Sequence, residues 1–84
     1  MSQLNKLYEH ILMRISDSNV QFGMLCALLH RLGFRERVKG DHHIFTRDGV
    51  DEILNIQPKN GKGKPYQVKQ IRDIILKYHI GFGE

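Results

Sequence analysis

Two adjacent histidines, His42 and His43, follow the turn-like stretch Lys39-Gly40-Asp41 and open the alternating run Ile44-Phe45-Thr46-Arg47. Histidine is the side chain whose unperturbed pKa lies near neutrality, so a fixed imidazole can accept or give a proton at neutral pH. Held where a turn enters a strand, in a chain of net charge +4, it points to proton-transfer chemistry on an anionic substrate. A plain hairpin carrying two exposed histidines has the same spacing, and spacing leaves both readings open.

Alternation separates the pair. Side chains along a strand point to opposite faces, so His42, Ile44 and Thr46 share one face and His43, Phe45 and Arg47 the other. Phe45 is the large apolar residue of the run and belongs in a helix-covered core, which leaves His42 on the open face. His43 is read as structural, at the sheet edge. Histidines pointing apart do not chelate one ion, and no third ligand has suitable spacing, so no metal site is expected. His10, His30 and His79 have no local partner pattern and are expected to face solvent. Asp41 reads as a turn residue that places a negative charge beside His42.

Charge supplies the second clue. Basic and acidic side chains balance over residues 1–58, whereas residues 59–84 hold Lys59, Lys62, Lys64, Lys69, Arg72 and Lys77 against Asp73 and Glu84, so the whole net charge of +4 lies in the last third. A localised basic patch is the footprint of a phosphate-binding surface, although lysine-rich loops are also simply solvated. The candidate RNA-backbone contacts are Lys39, Lys59, Lys62, Lys64 and Lys69. The loop Asn60-Gly61-Lys62-Gly63-Lys64 lacks the Lys-Ser/Thr ending of a nucleotide-binding P-loop, which excludes ATP or GTP binding on that pattern. Tyr66 offers a base-stacking ring, with packing at a helix start as the default reading.

The elements that must position these residues follow from periodicity. Leu4, Leu7, Tyr8, Ile11, Leu12 and Ile15 recur at helical spacing and predict a helix over 3–16. Ser18 or Asn19 is placed to cap a second helix carrying Phe22, Leu25, Cys26, Leu28, Leu29 and Leu32, with Gly33 as its stop. The period then drops to two: strands are predicted over 34–38, 42–47 and 53–57, with Asp48-Gly49 turning the second into the third. The lysine loop reads as short and mobile. Pro65 suits the first turn of a last helix built on Val68, Ile71, Ile74, Ile75 and Tyr78. The order is α-α-β-β-β-α, an α+β arrangement with helices on one sheet face. A lone Cys26 in an apolar stripe excludes an internal disulfide and fits a reducing compartment. No apolar run approaches the roughly 20 residues of a membrane span. The expected location is cytoplasmic, without a membrane partner.

The passage Gly40-Asp41-His42-His43-Ile44-Phe45 resembles the HicA (YcfA-like) family of toxin–antitoxin ribonucleases. Three further stretches agree: Leu28-Leu29-His30-Arg31-Leu32-Gly33-Phe34, Ile53-Leu54-Asn55-Ile56-Gln57-Pro58, and Tyr66-Gln67-Val68-Lys69-Gln70-Ile71-Arg72-Asp73. The resemblance covers roughly residues 20–80 and rests on the order and spacing of these pieces. It implies a double-stranded-RNA-binding-domain-like α-β-β-β-α fold and mRNA cleavage without a metal or other cofactor. It also implies a HicB-type antitoxin partner, and His42 as the catalytic histidine. Two departures stand out: Asp41 replaces the family's usual serine, and residues 1–17 add a helix before a single domain over 18–84. A non-catalytic RNA-binding module, or a protein-interaction module centred on Ile44, would use the same open face.

Overall fold

Three helices and a three-stranded antiparallel sheet follow one another in a computed structural model that describes residues 2–82. They are α1 (Gln3–Leu12), α2 (Phe22–Arg31), β1 (Arg35–Lys39), β2 (His42–Thr46), β3 (Leu54–Ile56) and α3 (Pro65–Tyr78). The segment from α2 to α3 is the double-stranded-RNA-binding-domain-like α-β-β-β-α unit, and the sheet order is β1-β2-β3.

Phe45, Leu54 and Ile56 project from the inner sheet face and are fully buried beneath Leu25, Leu28 and Leu29 of α2 and Val68, Ile71 and Ile75 of α3. Each such side chain contributes about 1.5–3 kcal/mol relative to exposure. A one-residue slip of β2 would expel Phe45 and drive His42 inward, so burial fixes which histidine faces out. The pairing Arg37 with Ile44 and Ile44 with Asn55 follows from that register. Gly40, at φ 61, takes the first position of the two-residue connection between β1 and β2, where a positive φ suits a tight hairpin.

The helices depart from expectation at their ends. α1 stops at Leu12, not 16, because Arg14 adopts a left-handed φ of 57. Its N–H reaches the Ile11 carbonyl (3.2 Å), while the N–H of Ile15 reaches that of His10 (3.4 Å). These two bonds form a Schellman stop built without glycine, and they leave Ile15 65% exposed instead of in the stripe. Gly33 closes α2 with the same pair of bonds, as its sequence position indicated.

Neither Ser18 nor Asn19 caps α2; the N-cap is Gln21, without a side-chain cap. The lysine loop takes over that role. Gly61 accepts the Phe22 N–H at 3.0 Å, and Gly63 donates to the Val20 carbonyl at 2.9 Å. Lys59 and Lys62 also exchange backbone bonds, so the segment is a small hairpin tied to the start of α2, not an unanchored loop. Pro65 opens α3, where the Gln67 side chain accepts from the Lys64 N–H and donates to the Gln57 carbonyl.

α1 shares the same core. Ile11 is fully buried, the Tyr8 hydroxyl donates to the Ile80 carbonyl (2.6 Å), and Arg72 of α3 donates to the Ile11 carbonyl and to both oxygens of Asp17. No helix of the described residues is long and apolar enough to cross a membrane.

Candidate nucleic-acid interface and its histidine

The outer sheet face is built by alternation and register together. β2 presents His42, Ile44 and Thr46; β1 sets Lys39, Arg37 and Arg35 directly opposite them; β3 adds Asn55 opposite Ile44. One edge of this face is therefore a row of three cations at every second residue. Arg35 forms an exposed pair with Asp48 at 2.9 Å, which water screens. Among the described residues, Arg37 and Lys39 make no ion pair. Block-wise charge counting missed Arg35 and Arg37 because acidic residues balance the basic ones over residues 1–58 as a whole. The i, i+2, i+4 pattern of Arg35-Glu36-Arg37-Val38-Lys39 carried the signal.

His42 is exposed at the hairpin end, and its Nδ1 lies 3.0 Å from the Oδ1 of Asn55 on the next strand. An amide oxygen only accepts, so Nδ1 is the donor, and in the neutral form of the ring the lone pair lies on Nε2. Lys39, Gly40, His42, Ile44 and Asn55 line a shallow hollow of about 490 Å³. A second, of about 320 Å³, continues across Ile44 to Arg35, Arg37, Thr46 and Ile53. The face is an open, cationic trough with a basic nitrogen at one end. Asp41 lies beside it in the hairpin turn, exposed.

The other predicted lysines lie elsewhere. Lys59, Lys62 and Lys64 line a separate hollow with Ser18 and Asn19, where Lys62 Nζ donates to Asn19 Oδ1 at 2.9 Å. Lys64 Nζ stands 6.0 Å from the centre of the exposed Tyr66 ring. Lys69 is paired along α3 with Asp73 at 2.8 Å.

His43 points inward as alternation requires, but on the central strand and not at the sheet edge. Its ring meets Phe22 edge-on (4.9 Å), and its Nδ1 bonds the Oε2 of Glu36 at 2.5 Å. His30, expected to be unpartnered, donates from Nε2 to the Oε1 of Glu36 at 2.7 Å, and His10 donates to the Ser16 carbonyl at 2.8 Å. The His30 contact joins different elements, so local spacing could not reveal it. Hydrogen bonds from His43 and then His30 hold the Glu36 carboxyl below its ordinary range. Cys26, beside this group, has its thiol pushed up to about 11, first by burial and then by the Glu36 charge.

A small α+β domain with a double-stranded-RNA-binding-domain-like fold, and one solvent-facing histidine set among cations on its outer sheet face, is thus the class of protein defined by fold and site. A family model described as the HicA toxin of bacterial toxin–antitoxin systems matches residues 24–78. The match spans well over half of the chain, and the protein belongs to the HicA toxin family. It takes in all three strands and α3 and leaves α1 outside. No curated protein and no solved structure gives a significant match.

Proposed function

We propose that this HicA-family toxin is an endoribonuclease that cleaves mRNA with His42 as general base. The observation that carries the reading is the 3.0 Å bond from His42 Nδ1 to Asn55, which engages one ring nitrogen and leaves Nε2 as the candidate base on the face that also carries Lys39 and Arg37. Nε2 removes the proton of an RNA 2′-hydroxyl, and the resulting oxygen attacks the adjacent phosphorus. Lys39 and Arg37 stabilise the extra negative charge of the phosphorane. The bond to the 5′ oxygen breaks, and that oxygen leaves with a proton from water or the Lys39 ammonium. His43, on the opposite face, takes no part. The products are a 2′,3′-cyclic phosphate and a 5′-hydroxyl end, no metal enters the chemical step, and DNA is refused for want of the nucleophile.

Ile44 and Ile53 interrupt the cations with apolar surface, which suits a protein inhibitor as well as RNA. A HicB-type antitoxin covering this face would block His42 and the basic row together, in the cytoplasm where mRNA is translated. The rival reading is an RNA-binding module without chemistry, favoured by the basic row itself, because phosphate contacts require no base. Expression of wild type and His42→Ala in cells, with mapping of RNA ends, separates the two. Growth arrest and new RNA ends with wild type alone support the nuclease; equal arrest by both proteins, or by neither, contradicts it.

A further inference from the structure

Behind the sheet, on the reverse of His42, the fold gathers three donor groups that are far apart in sequence. Cys26 Sγ, a Glu36 carboxylate oxygen and a His43 ring nitrogen all lie within 4.8 Å of one another, each half-buried. They come from α2, β1 and β2. Phe22, Cys26 and His30 follow one another at i, i+4, i+8, so they form one row on the face of α2 that overlies the hairpin. Phe22 packs on the His43 ring, and His30 on that of Phe45, which holds the row in place over the strands. Alternation delivers Glu36 and His43 upward from adjacent strands.

The geometry points to a zinc site in which Cys26 Sγ, a Glu36 oxygen and His43 Nδ1 bind one ion, with water in the fourth position. Mixed thiolate, imidazole and carboxylate donors suit zinc or its cobalt surrogate far better than magnesium or calcium. With bonds of about 2.0–2.3 Å, donors around a tetrahedral ion stand roughly 3.5 Å apart. From separations of up to 4.8 Å the sulfur closes in by about 1.3 Å at most. The 2.5 Å hydrogen bond between His43 Nδ1 and Glu36 Oε2 opens by about 1 Å as the ion replaces its proton, and both are rotamer-scale movements. His30 supplies the outer support: its bond to Oε1 orients the Glu36 carboxylate, and Oε2, which bonds His43 Nδ1 in the metal-free protein, turns to the ion. On binding, the Cys26 thiol proton passes to solvent and the imidazole proton of His43 resides on Nε2. The ion would clamp α2 to the β1–β2 hairpin without touching the RNA-facing surface.

The test uses the full chain, stripped with a chelator and titrated with cobalt(II). One equivalent should develop a thiolate-to-cobalt charge-transfer band with the visible bands of a tetrahedral site. Competition against a chromophoric chelator then gives zinc affinity. Cys26→Ser and His43→Gln should each lose the band or the tetrahedral spectrum and at least about 100-fold in zinc affinity. His42→Ala, on the other face, should bind as wild type does. Should the core variants fail to fold, the wild-type spectrum and the protection of Cys26 from alkylation by added zinc carry the test. Absence of the thiolate band in wild type, unchanged alkylation with zinc, or a folded Cys26→Ser that binds zinc as tightly as wild type overturns the proposal.

Discussion

The Oδ1 of Asn55 on β3 accepts the Nδ1 proton of His42 on β2 at 3.0 Å, a diagonal cross-strand contact on the open face of the sheet. It fixes both the ring's orientation and its tautomer, so Asn55 is a positioning residue for the proposed base. Asn55→Ala should lower the cleavage rate by about tenfold or more while RNA affinity stays near wild type, a smaller loss than removing a general base outright. Single-turnover cleavage measured beside equilibrium binding checks this. A parallel loss of binding would show that Asn55 serves RNA contact and not His42.

Arg37 and Lys39 make no ion pair among the described residues, whereas Lys69 shares its charge with Asp73. Arg37→Ala should therefore weaken RNA binding and reduce the magnitude of the slope of log K against log salt by about 1, while Lys69→Ala does less. Binding titrations across a salt series distinguish the sheet row from the helix surface. Equal effects at both positions would place the RNA elsewhere.

The Arg72 side chain is only 5% exposed and spans from α3 to Asp17 and the Ile11 carbonyl. Removing its partner strands a buried guanidinium. Asp17→Ala should cost about 2–3 kcal/mol, below the figure for a wholly buried pair because the Asp17 side chain keeps 29% exposure. Urea melts of Asp17→Ala, Arg72→Met and the double variant measure the coupling. If Asp17→Ala melts with wild type, α1 is not held through this contact.

Acid should loosen the fold through its lowered carboxylates, Asp17 and Glu52 among them. The Arg72 guanidinium holds Asp17 below its ordinary value of 3.8, and hydrogen bonds from Lys77 and then the Tyr78 hydroxyl hold Glu52 down from 4.5 to about 2. Folded values below unfolded ones mean that the unfolded chain binds more protons. The stabilisation is complete above the unfolded pKa values and drains away as pH falls from about 4.5 toward 2. Thermal melts across this range should show Tm falling, less steeply in Asp17→Asn. A flat Tm would contradict the assignment.

The strands, the last helix and the outward turn of His42 were legible because the apolar period changes from helical to alternating at Phe34. A glycine stop for α2 was legible at Gly33, whereas the equivalent stop of α1 was not, because Arg14 fills that place. The cap of α2 escaped notice because it comes from the Gly61 carbonyl, distant backbone that no local motif reports. Arg35 and Arg37 were written in the alternation of β1, but counting charge over residues 1–58 hid them in a balanced block. The meeting of Cys26, His30, Glu36 and His43 depends on how α2 crosses the hairpin, which periodicity does not specify.

The central claim is tested most directly with purified wild type and His42→Ala on one defined RNA and on the same strand carrying a single 2′-deoxy nucleotide at the cut site. The account predicts cleavage by wild type to 2′,3′-cyclic phosphate and 5′-hydroxyl ends, a rate about 10²–10⁴-fold lower for His42→Ala, and no cut at the deoxy position. Equal cleavage by both proteins, or a cut at the deoxy nucleotide, would contradict it.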